Sequence, residues 1–133
     1  MSHTSVEAAE AEFYRAFSDG DVAAMAALWL DAPAVSCIHP GHGGLYGYRA
    51  VMERWHGILQ AGATFDIRFR LETEFAAEQL VVRTGTEHLR VEGEASAVLS
   101  VTNVFQLTPR GWLMVLHHTA PAHQSTTPDQ PLH

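Results

Sequence analysis

Val6, Ala9, Phe13, Ala16 and Phe17 recur at helical intervals, with Thr4 and Glu7 at capping-box spacing before them and Asp19-Gly20 behind. This pattern predicts a first helix. Asp21 is placed to cap a second, shorter helix with Met25, Leu28 and Trp29 on one face, which must close before Pro33 because the residue preceding proline avoids the α region. Ala34 to His39 forms a short apolar strand running into Pro40-Gly41-His42-Gly43-Gly44, which is too rich in glycine to lie inside a helix or strand. A third helix follows Gly47, with Val51, Trp55, Ile58 and Leu59 along one face and Ala61-Gly62 at its end.

Beyond Gly62 the period becomes two: Phe65, Ile67, Phe69 and Leu71 alternate with Asp66, Arg68, Arg70 and Glu72. Further strands are expected at about 79–91, 95–107 and 112–119, joined by Glu92-Gly93-Glu94 and Thr108-Pro109-Arg110-Gly111. Three long neighbours with short turns make an antiparallel meander. Helices grouped first and strands grouped later predict an α+β domain, a curved sheet folded around its helices into a cone with an internal pocket. The domain is expected to span 1–120, leaving 121–133, rich in Pro, Gln, Thr and His, as a mobile tail.

Some polar residues sit where the pattern calls for apolar ones. The odd positions of the 95–107 strand are Ala97, Leu99, Val101, Asn103, Phe105 and Leu107, so Asn103 lies on an apolar row. A buried amide without a hydrogen bond costs a few kcal/mol, roughly. Asn103 therefore has either a structural partner or a cavity in front of it. In the last strand Trp112, Met114, Leu116 and His118 form one face, and Leu113, Val115 and His117 the other. Strict alternation makes His118 the pocket-lining histidine and sends His117 to the surface. Val35, Cys37 and His39 share a face of the first strand, placing His39 beside the glycine-rich loop, where an imidazole could act as acid or base. Cys37 is expected to be buried packing, with a thiolate–imidazole pair as the alternative.

The chain of 133 residues, 47% hydrophobic and 17% charged, is long enough for one core. Its formal charge of −7, without a segregated basic face, argues against nucleic-acid binding. The single cysteine and the absence of a signal-like N-terminus point to a reducing cytoplasm, and no apolar run is long enough for a membrane span.

The segments Phe13-Tyr14 to Gly20-Asp21, Leu28-Trp29, His39-Pro40, Leu45-Tyr46-Gly47, Val51 to Trp55, Thr102 to Phe105 and Gly111-Trp112 with His117-His118 resemble, in order, the SnoaL-like branch of the nuclear transport factor 2-like superfamily. That superfamily also holds ketosteroid isomerases, scytalone dehydratase and polyketide cyclases. The resemblance implies three helices against a curved mixed, mainly antiparallel sheet, with the first strand added at its edge and a pocket between. It also implies a homodimer through the outer sheet face.

At the positions of the ketosteroid isomerase tyrosine, aspartate base and second acid, this chain has Phe13, His39 and Asn103. Tyr14, about 100° further around the helix, is not expected to substitute for Phe13. Steroid isomerisation by that route is therefore not implied. The expected catalytic set is His39, Asn103 and His118, with Phe13, Trp29, Trp55, Phe105 and Leu116 binding substrate. No cofactor is expected. Zinc held by His39, His42 and His118 is an alternative, although the spacing is not a metal motif. The reading is a pocket protein for a small apolar carbonyl or polyketide-like ligand, with isomerase, cyclase, dehydratase or hydrolase chemistry; the alternative is a binding or dimeric interaction module without chemistry.

Overall fold

A computed structural model of the chain describes residues 3–122. Among these, three helices and six strands occur in the order α1 (Val6–Asp19), α2 (Val22–Leu28), β1 (Ser36–Ile38), β2 (Leu45–Tyr46), α3 (Tyr48–Leu59), β3 (Phe65–Ala76), β4 (Leu80–Val91), β5 (Ala97–Thr108) and β6 (Gly111–Pro121). The N-cap of α1 is Ser5 rather than Thr4: its side chain accepts a hydrogen bond from the Ala8 N–H. The helix stops at Gly20, whose φ of 68° is the left-handed conformation that glycine takes without steric cost. Asp21 caps α2 through the Ala24 N–H, as the sequence predicts.

The strands form one open curved sheet in the order β2-β1-β6-β5-β4-β3. The meander from β3 to β6 is antiparallel, and β1 joins it parallel to β6. The first strand is not at the edge, because the short β2 pairs along its outer side. The predicted tail boundary at 121 falls inside β6, which includes Pro121; the remainder of that tail, from 123 onward, lies outside the described residues. No helix among the described residues is long and apolar enough to cross a membrane.

The helices cover the inner face of the sheet, and the core lies between them. Phe13, Phe17, Met25, Leu28, Trp29, Trp55, Phe105 and Met114 are all buried there. Phe13 and Phe17 meet Trp55 edge-on, with ring centroids 5.4 and 4.9 Å apart. Removing each such ring from water contributes about 1.5–3 kcal/mol, so this seam of rings holds α1 against α3.

The ladder is irregular at two points. In β6 the register passes from Val104↔Leu116 to Phe105↔Met114, so Val115 is an extra residue with no partner of its own. In β3 it passes from Leu71↔Gly85 to Thr73↔Thr84, which makes Glu72 the extra residue. Gly85 sits opposite that second bulge, where a Cβ would lie 2.0 Å from the Arg70 carbonyl oxygen. Gly85→Ala is therefore expected to lower the unfolding free energy by about 2 kcal/mol or more, because backbone rather than a flexible side chain must give way. Urea denaturation of the two proteins measures this, and equal midpoints would show that the bulge yields freely.

Candidate functional site

Along the inner row of β4, Val81, Leu89 and Val91 share their face with Arg83 and Glu87. On β5 the corresponding polar residue is Asn103, and its register partner on β6 is His117. From above, α1 lowers Glu10 and Tyr14 onto this row. A helix lying in a concave sheet is buried over a wider arc than one resting on a flat face, so two adjacent stripes of α1 are covered, one carrying Phe13 and the other Glu10 and Tyr14.

These side chains form one hydrogen-bonded group. Arg83 Nε donates to Glu10 Oε1 at 3.0 Å, and its guanidinium also contacts Glu74. The Asn103 amide nitrogen donates to Glu10 Oε2 at 3.3 Å and to the Tyr14 hydroxyl oxygen at 3.0 Å. Tyr14 in turn donates to Glu87 Oε2 at 2.7 Å, and Asn103 Oδ1 lies 2.7 Å from His117 Nδ1. The other ring nitrogen of His117, Nε2, is buried with no hydrogen-bond partner among the described residues. The nearest carboxylate oxygen, Glu87 Oε2, is 3.8 Å away, outside hydrogen-bond range.

Burial sets the proton affinities. It pushes Glu87 up to about 7, against the opposing hydrogen bond from Tyr14 and with the nearby Glu10 charge adding to the rise. It lowers His117 well below the ordinary imidazole value, with His39 and His118 adding to the effect, and takes His39 down to about 4. Glu10 is also raised by burial, opposed chiefly by Arg83. Near neutrality the site holds neutral imidazoles beside a carboxyl group that gains and loses its proton there, and of these groups it is Glu87 whose proton affinity suits general acid–base chemistry.

The expected residues are only partly brought together. His39 is half-buried at the end of β1, its ring centroid 5.5 Å from that of His117 and 5.1 Å from that of Trp55. Phe13 packs on both Trp55 and His117. Asn103 is fully buried in the group, but both its N–H bonds go to Glu10 and Tyr14. Trp29 and Phe105 are buried in the core, each beside Met114 through a bridge or a register pair.

His118 and Leu116 require a correction. The bulge at Val115 shifts the alternation by one, so His117 turns inward while His118 is exposed on the outer face, the face that also carries Leu116 and Val104. That separation also takes His118 away from His39 and so breaks up the zinc trio, and no metal-binding group of His, Cys, Asp or Glu occurs among the described residues. Cys37 is buried with Sγ 3.8 and 3.9 Å from the His39 ring nitrogens, and burial pushes its thiol up to about 12, which makes it packing rather than a nucleophile.

Tyr14, not expected to take the place of Phe13, reaches the site, and Glu10, Arg83 and Glu87 join it without having been anticipated. Their signal is present in the sequence: Arg83 and Glu87 interrupt an inner row of β4, and Glu10, Tyr14 and Phe17 follow one another at i, i+4 and i+7.

The Glu87 shift carries a stability consequence. A carboxyl group whose folded value is raised holds its proton in the native state after the unfolded chain has lost it, so native stability falls as pH rises between about 4.5 and about 7. Glu87→Gln removes that titration. Relative to the parent, its unfolding free energy should gain about 2–3 kcal/mol between about pH 5 and about pH 8. Denaturant titrations at the two pH values measure the difference, and a pH-independent gap would mean that Glu87 is ionised throughout.

Residues 6–123 match the family model for the SnoaL-like domain. A solved structure from Thiobacillus denitrificans, named as a calcium/calmodulin-dependent protein kinase type II association domain, is 32% identical, covers 92% of this chain and 99% of its own, and superposes with a TM-score of 0.85. A Streptomyces avermitilis protein named as a dehydratase of the NTF2-like family is 28% identical, with 88% and 93% covered and a TM-score of 0.76. The F-box protein SKIP8 of Arabidopsis thaliana is 29% identical over 109 residues, which are 82% of this chain and 46% of that protein, so the chain spans about half the length of this relative. With its three helices, its mixed sheet and a family match over nearly the whole chain, the protein belongs to the SnoaL-like family of the NTF2-like superfamily.

Proposed function

We propose that this domain binds a small, mainly apolar carbonyl or polyketide-like compound on the inner face of its sheet and catalyses proton transfer on it, with an isomerase, cyclase, dehydratase or hydrolase outcome. The observation that carries the reading is the buried His117 Nε2, unpartnered among the described residues, lying 3.8 Å from a Glu87 carboxyl group pushed up to about 7. A stable core has little use for an unsatisfied imidazole, whose desolvation costs about 1–3 kcal/mol. A ligand that supplies the missing partner recovers that cost.

In this reading Glu87, whose carboxyl group exchanges its proton near neutrality, takes and returns the substrate proton, while the neutral His117 holds the substrate through Nε2. His39 is half-buried, with its ring against both the buried Trp55 and His117. Asn103 acts through His117, because its own donors are occupied. A relative named as a dehydratase supports this direction.

The relative named as an association domain, similar over almost all of both chains, favours a second role in self-association. In that role the outer sheet face, with Val104, Leu116 and His118, packs against a second copy. Light scattering should then give a dimer that Leu116→Asp reduces to a monomer.

A thermal-shift screen of a metabolite library tests the first reading, since binding to the folded form raises Tm. Hits should lose their shift with His117→Gln, and any turnover should fall by about a hundredfold or more. Undiminished shifts and turnover in that variant would assign the chemistry elsewhere.

A further inference from the structure

The hydrogen bonds of the inner row run in one direction. Arg83 Nε donates to Glu10, so the Glu10 carboxylate is an acceptor, and the Asn103 group facing its other oxygen at 3.3 Å must be the NH2. The same NH2 donates to Tyr14, whose own proton goes to Glu87. Turned over, Asn103 would set its carbonyl oxygen against a carboxylate oxygen. Its carbonyl therefore faces His117 Nδ1 at 2.7 Å, and two lone pairs repel at that distance unless Nδ1 carries a proton. A neutral imidazole has one N–H, which leaves Nε2 as a bare acceptor.

We infer that Asn103 is a positioning residue that fixes His117 with its proton on Nδ1, so that the site selects a neutral ligand bearing a hydroxyl group, which donates to Nε2. The ligand class rests on the small-molecule reading proposed above. A phenol, an alcohol or the enol of a carbonyl compound qualifies. A ligand with only a carbonyl or ether oxygen leaves Nε2 unsatisfied, and its lone pairs face those of the ring nitrogen. An anion fares worse, since Nε2 offers it no proton and Glu87 lies close by.

Histidine-selective 15N NMR on the full chain, with His117→Gln assigning the signal, should show a protonated, pyrrole-type Nδ1 and a bare, pyridine-type Nε2. Phenol, anisole and cyclohexanone are then titrated as probes of similar size and different donor capacity. Phenol should bind about tenfold more tightly than either of the others and move the His117 Nε2 resonance. Asn103→Ala should populate the Nε2–H form, a change that loss of packing alone does not produce. Glu10→Gln, which frees the Asn103 amide to turn, is read in its place if that variant does not fold.

A proton on Nε2 in the parent, an unchanged tautomer in the folded variant, or equal binding of anisole and phenol would each overturn the inference and leave the small-molecule reading intact. Failure of all three probes to bind overturns the ligand class here, and the library screen then decides the small-molecule reading separately.

Discussion

The pairing of Asn103 with Glu10 and His117 is the constraint on which the inner face depends. Four ionisable side chains, Glu10, Arg83, Glu87 and His117, lie almost without solvent between α1 and the meander. In water each would be solvated at no cost to the fold; inside, each must find partners or remain neutral. Glu10 and Arg83 find each other, Glu87 accepts a hydrogen bond from the Tyr14 hydroxyl, and Asn103 joins the two halves because an amide gives and receives at once. Replacing the amide with an apolar side chain would leave a carboxylate, a phenol and an imidazole each short of a partner.

The aromatic seam serves the same arrangement from the opposite side. Phe13, Trp55 and His39 close over His117, exclude water and so lower its proton affinity. The two effects reinforce each other: drier surroundings make the polar contacts stronger and make an unpartnered atom costlier. Of the buried polar atoms, the nitrogen facing Glu87 sits where these two regions meet.

Much of this is legible in the chain. Helical spacing locates α1 and α3, Asp21 marks the start of α2, and period-two alternation with short turns predicts the meander. Asn103 stands out as a polar residue on an apolar row, and it is buried there. Alternation assigns the histidine pair the wrong way round because it assumes a regular ladder, whereas one unpaired residue at Val115 reverses every side chain beyond it. A bulge leaves no mark in composition. Tyr14, Glu10, Arg83 and Glu87 are hidden for another reason: charged and hydroxylated residues usually face solvent, and only the concavity of the sheet brings a second stripe of α1 under cover.

The origins of the buried group have a mechanical implication. Glu10 and Tyr14 come from the N-terminal helix, while their partners Arg83, Glu87 and Asn103 come from β4 and β5, at least 73 positions further along the chain. The helix cannot lift away without stranding charges on both sides, so its docking and the integrity of the site are a single equilibrium. Whatever grips the imidazole at the centre must therefore also tighten the first helix, and loosening that helix must loosen the grip.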